Sequence, residues 1–135
     1  MRAVTRYYQF FQSSVQLPRI SISSGAKWEY IVGYSRAVRL GNLIEVSGTT
    51  AVGDDRIIGA DVYTKAKYIQ QKIKTAIEQA GGKMEDVVRT RFFVTDISQW
   101  ESVAKAHREF FGTIKPATSM VEVSGLIHPD MLVEI

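Results

Sequence analysis

The sequence predicts an α+β domain in which a mixed sheet carries two helices on one face. Three observations lead there. Two segments repeat apolar residues at helical spacing, several short β-branched runs flank them, and glycine-rich turns separate the pieces. The 135 residues are 45% hydrophobic and 23% charged, the balance of a globular chain. A domain of this size buries roughly two thirds of its unfolded surface and needs no disulfide or metal to fold.

The elements follow in order. Residues 1–18 read as an N-terminal extension, with Tyr7, Tyr8, Phe10 and Phe11 among Gln and Ser. Four of the 17 bases and none of the 14 acids fall in residues 1–28. That composition fits an organelle-targeting segment or a poorly ordered tail. Pro18 marks the boundary, and residues 19–135 form the single domain. Arg36–Leu40 and Leu43–Gly48 are strands joined by a hairpin turn at Gly41-Asn42. Gly53-Asp54-Asp55 is a second turn, and Asp61 caps a helix. Val62, Ala66, Ile69, Ile73, Ala76, Ile77 and Ala80 form its apolar stripe, which Gly81-Gly82 ends.

Val87–Thr95 is the next strand. Ser98 with Glu101 reads as a capping box for a second helix, whose stripe runs from Trp100 through Val103, Ala104 and His107 to Phe110-Phe111. Gly112 and Pro116 stop it. Ala117–Ser124 and Met131–Ile135 are the last strands.

Alternation assigns the faces. Val88, Phe92 and Val94 suit the helix-covered side, as do Ile44, Val46, Val121, Val123, Val133 and Ile135. The opposite side then mixes Arg89, Arg91, Phe93, Thr118, Met120 and Glu134. Such a face is either solvated sheet or a subunit interface enclosing a polar pocket.

Composition excludes several functions. There is no cysteine, so no thiol nucleophile, disulfide scaffold or sulfur-ligated zinc; a cytoplasmic location is compatible with that. The two histidines, His107 and His128, stand apart in sequence, and neither a metal nor a cofactor is expected. No apolar run reaches the roughly 18–20 residues of a membrane span. Beyond residue 28 acids and bases nearly balance, which disfavours a nucleic-acid partner.

Gly33-Tyr34-Ser35-Arg36-Ala37-Val38, Gly41-Asn42, Val46-Ser47-Gly48, Phe93-Val94-Thr95-Asp96 and Pro116-Ala117-Thr118-Ser119 with Val121-Glu122-Val123 resemble, in order, motifs of the YjgF/YER/UK family, also called Rid or L-PSP proteins. The resemblance runs from about Ser24 to Ile135. It implies a chorismate-mutase-like fold and a homotrimer with a small-molecule cleft at each subunit interface. The family's activity is hydrolysis of enamines and imines such as 2-aminoacrylate; some members are labelled endoribonucleases or translation inhibitors.

Carried over residue by residue, Tyr34, Ser47 and Phe93 match cleft positions. Glu134 matches the acid that positions the attacking water, allowing one inserted residue in the Leu126–Asp130 loop. Each has a plainer reading: Tyr34 as a turn-end aromatic, Ser47 as a strand end, Glu134 as a partner for Arg89 or Arg91. Active deaminases of the family read Pro-x-Arg-Ser, with the arginine clamping a substrate carboxylate; here that position is Thr118, and Met120 stands where some members have a cysteine.

A threonine hydroxyl cannot replace a charged bidentate fork, so the standard 2-aminoacrylate activity is expected to be lost unless Arg91 substitutes. Two classes remain, an enzyme acting on a small imine or carbonyl compound and a non-catalytic metabolite-binding trimer. The nuclease is a weaker third. Family members continue for several residues past Ile135, so the last strand is either short or part of a fragment with an incomplete cleft.

Overall fold

A computed structural model describes residues 16–135. The first fifteen, which hold most of the expected extension, lie outside the described residues. Gly41, in the left-handed region at φ 59°, closes the tight turn between β2 (Ala37–Leu40) and β3 (Leu43–Val46). β1 (Arg19–Ile22) adds antiparallel to the other side of β2, Arg19 opposite Leu40. Between β1 and β2 lies a short helix, α1 (Lys27–Val32), ended by Gly33 at φ 84°. Neither β1 nor α1 was expected from the sequence. A two-residue loop, Asp54-Asp55, joins β4 (Val52–Gly53) and β5 (Arg56–Ile57); both aspartates take positive φ, the hairpin geometry that suits twisted strands.

α2 (Val62–Gln79) begins as expected. The Asp61 carboxylate accepts a bond from the Thr64 amide at 2.9 Å. Its stripe is buried at Val62, Ala66, Ile69, Ala76 and Ile77. The second helix, α3 (Trp100–Phe111), starts differently from expectation. The cap is Asp96, which accepts bonds from the Ser98 amide and hydroxyl and holds a 3-10 turn at Ile97–Gln99 ahead of the helix. Asp96 outcompetes Ser98 because its carboxylate accepts two bonds at once. Trp100, placed by the extra turn, leaves the stripe and is 52% exposed.

β6 (Arg89–Val94), β7 (Ala117–Glu122) and β8 (Val133–Glu134) complete the chain. β7 runs parallel to β6, and β8 antiparallel to it. Thr49 and Ile135 exchange two backbone hydrogen bonds, at 2.9 and 3.1 Å, and Thr50 bridges Glu134. These contacts join the two three-stranded sheets in the order β1-β2-β3-β8-β6-β7. Phe92, Val94, Val103, Ile69 and Val133 form the core between this mixed sheet and the helices. Ile77, Met84 and Phe111 form a second cluster. The α+β architecture with its helix-covered face is therefore present.

One facing is reversed from expectation. Register pairs Thr90 with Thr118 and Phe92 with Met120, and paired residues share a face. Thr118 and Met120 therefore turn toward the helices, and Met120 packs against the core. Val121 faces the other way and is 47% exposed. The chain enters β7 through Lys115 at φ 54°, and the Ala117 amide bonds to the Val88 carbonyl; that entry sets the register, and a one-residue shift flips every side chain.

Candidate functional site

The site is built where β2, β3 and β8 meet. Ser47 and Gly48 leave the regular ladder there, and the turn of the backbone directs both of their carbonyls at one side chain. Arg36 Nη2 donates to the carbonyls of Ser47 at 2.6 Å and Gly48 at 2.9 Å. Ser47 Oγ donates back to the Ser35 carbonyl at 2.6 Å, and Thr49 Oγ1 to the Ser47 carbonyl at 2.8 Å. Arg36 is buried, and its Nε has no partner among the described residues. The Tyr34 ring centroid lies 5.9 Å from the guanidinium carbon, within cation–π range.

Electrostatics follow from that burial. Desolvation draws Arg36 below the ordinary arginine range, against the opposing pull of Tyr34, Glu29 and Glu134. Glu29 is buried on α1. Burial would raise its pKa, yet bonds from Ser23 Oγ and from the Ser24 amide and hydroxyl hold it below the usual value, with help from Arg36. The buried cation thus sits in the field of two carboxyl groups.

Glu134 lies against Gly48 so closely that a Cβ there would collide with its Oε1. Phe93 pairs with Glu134 across β6 and β8 and shares its face. The structure therefore brings Tyr34, Ser47, Phe93 and Glu134 together around Arg36 and Gly48. Arg91 follows on the same face of β6, exposed and without a carboxylate partner among the described residues.

Thr118 and Met120 do not join this group. The Thr118 and Thr90 hydroxyls are hydrogen-bonded at 2.8 Å, and Thr90 Oγ1 lies 3.1 Å from His107 Nε2. The rings of Phe92 and Phe111 lie 5.2 and 4.8 Å from the imidazole. His107 is thus a satisfied histidine between helix and sheet, and burial holds its pKa below the ordinary value. Sequence reasoning did not select Arg36 as a site residue. The available signal was its register opposite a Ser-Gly pair.

The family described as Endoribonuclease L-PSP matches residues 25–135. The chain belongs to the YjgF/L-PSP family. Its relatives agree with that placement. An uncharacterized protein of Streptomyces coelicolor is 34% identical over 115 residues, covering 84% of this chain and 86% of its own length. A RutC family protein of Pyrococcus abyssi is 33% identical over 104 residues, covering 76% and 81%. Among solved structures, Rv2704 of Mycobacterium tuberculosis, described as a member of the highly conserved YjgF/YER057c/UK114 family, superposes with a TM-score of 0.80 at 49% identity, covering 87% of this chain and 94% of that one.

This L-PSP chain has no helix among its described residues long and apolar enough to cross a membrane. Nor, among those residues, do three His, Asp or Glu side chains converge as a metal site would require.

Proposed function

We propose that the protein is a homotrimer with a small-molecule cleft at each subunit interface, and that it hydrolyses small imines lacking the carboxylate of 2-aminoacrylate. One observation carries the reading. A carboxyl group, Glu134, is seated against a residue without a side chain, on a face shared with Phe93, while the position of the family's carboxylate clamp holds Thr118, whose hydroxyl is engaged by Thr90.

In that cleft Glu134 takes a proton from water as the water oxygen bonds to the imine carbon. Glu134 returns that proton to the imine nitrogen, giving the carbinolamine; the hydroxyl proton of the carbinolamine then passes through Glu134 to nitrogen as the carbonyl forms, the C–N bond breaks and ammonia leaves. Tyr34, Ser47 and Phe93 wall the substrate. The exposed apolar side chains of Leu43 and Val121, 57% and 47% accessible on the face away from the helices, support burial of that face between subunits.

The test generates 2-aminoacrylate in situ and follows 2-keto acid release by the parent, Thr118→Arg and Glu134→Gln. The expected result is a parent at background and a Thr118→Arg variant that gains activity. A parent that already turns over 2-aminoacrylate overturns the proposal and points to Arg91 as the clamp. Light scattering on the same samples reads the trimer.

A further inference from the structure

Ile58 and Gly59 carry the chain from β5 toward α2, and Gly59 takes a left-handed φ of 82°. Both of their carbonyls accept from one side chain. Lys65 Nζ donates to Gly59 at 2.7 Å and, at the longer distance of 3.4 Å, to Ile58. Lys65 is only 3% exposed. Its ammonium has three protons, and the two carbonyls account for two. No ion pair among the described residues includes it. Asp61, one helical turn earlier, spends its carboxylate on the Thr64 amide and hydroxyl. A neutral amide side chain could serve two carbonyls as well. A full charge buried beside them is costly unless an anion answers it.

The same lysine lines an open cavity of about 330 Å³, walled by Ile57, Ala60 and Leu132. Asp130 lines it too, and its side chain is 75% exposed. The Asp130 amide donates to His128 Nδ1 at 3.1 Å, so that nitrogen is an acceptor there and brings no proton to the carboxylate 3.8 Å away. The cavity thus has a buried cation at its inner end, an exposed carboxylate at its rim and apolar walls between them. Its volume is at the lower end of the range for small-molecule sites.

We propose that this cavity binds a small aliphatic α-amino acid in its zwitterionic form. The ligand carboxylate accepts the remaining Lys65 proton, its ammonium pairs with Asp130, and its side chain lies against Ile57, Ala60 and Leu132. A simple carboxylic acid would set an anion against Asp130 with nothing to offset it. A simple amine would leave Lys65 unanswered. The ligand that meets both ends carries both charges. The residues differ from those around Glu134, and binding here does not rest on imine hydrolysis.

The test titrates the 135-residue protein with L-norvaline and follows backbone amide resonances by NMR. Saturable shifts are expected at Gly59, Ala60, Lys65 and Asp130, with a millimolar dissociation constant. Pentanoate lacks the ammonium and butylamine lacks the carboxylate; each should bind at least tenfold more weakly, the effect of one charge-assisted bond. Lys65→Gln keeps donors for the two carbonyls and removes the charge, and it should weaken norvaline binding at least tenfold. Asp130→Asn changes an exposed side chain and should do the same. The proposal is overturned by no shift at decimolar norvaline, by shifts that fall outside these residues, by pentanoate or butylamine binding as well as norvaline, or by full affinity in Asp130→Asn. The ligand series leaves the protein untouched, so the test stands even where Lys65→Gln fails to fold.

Discussion

The carboxyl group of Glu134 occupies the space that a side chain at Gly48 would fill. The contact fixes where the candidate water-positioning group sits relative to the Ser47–Gly48 turn. Gly48→Ala must push Glu134 away or shift β8, and overpacking of that kind costs about 1–3 kcal/mol. The expected outcome is a folded variant whose turnover of the proposed substrate class falls by on the order of tenfold or more. Paired urea unfolding and steady-state kinetics check it. Unchanged turnover would detach Glu134 from the chemistry.

Arg36 holds the same turn from the other side. Its guanidinium satisfies two backbone carbonyls and is buried. Arg36→Leu removes both bonds and leaves the carbonyls of Ser47 and Gly48 without those donors. Charge-assisted bonds contribute about 1.5–3 kcal/mol each, so a loss of about 3–5 kcal/mol is expected. Arg36→Lys keeps a charge without the planar fork and should recover part of the loss. Chemical denaturation of the three proteins measures both. A change under about 1 kcal/mol for Arg36→Leu would refute a structural role for the guanidinium.

His107 gives the folded protein an acid sensitivity. Burial holds its imidazole below the ordinary histidine value of about 6.5. The unfolded imidazole protonates near 6.5 while the folded one resists, so stability falls as pH drops through that window and is constant above it. His107→Phe keeps an aromatic ring beside Phe92 and Phe111 and removes the titration. Urea midpoints between pH 7.5 and 5.5 should slope downward for the parent more steeply than for the variant. Parallel slopes would mean that His107 protonates freely in the folded state.

Much of the fold was legible because periodicity and turn residues act locally. Asp61, the α2 stripe and the Gly41-Asn42 turn each carry their own signal. The facing of β7 was not legible, because Ala117, Ser119 and Val121 read no more polar than Thr118, Met120 and Glu122. Parallel pairing with β6 chose between them, and that is a long-range contact. The α1 segment was missed because Tyr30, Ile31 and Val32 are exposed at 93, 62 and 68%, so it shows no amphipathic stripe. Of the candidate site, Tyr34, Ser47, Phe93 and Glu134 were nominated through motif resemblance, and the structure places them near one another. Arg36 escaped because an arginine in a strand reads as a surface residue, and its burial depends on how the distant Ser47–Gly48 turn aims two carbonyls.

Thr118→Arg is the most informative substitution. The parent hydroxyl is spent on Thr90, and the position lies exposed on the outer strand of the sheet, where a longer side chain has room. Losing the Thr90 bond costs about 1 kcal/mol, within what a domain of this size withstands. Within one subunit residue 118 lies on the sheet face opposite Glu134, so a guanidinium there clamps a carboxylate only across the subunit interface of the proposed trimer; two charge-assisted bonds in that cleft correspond to a gain on the order of a hundredfold or more in 2-aminoacrylate turnover. Glu134→Gln in the same background should remove the gain, because the clamp only holds substrate while Glu134 activates water. A double variant as active as Thr118→Arg alone would place the reacting water elsewhere.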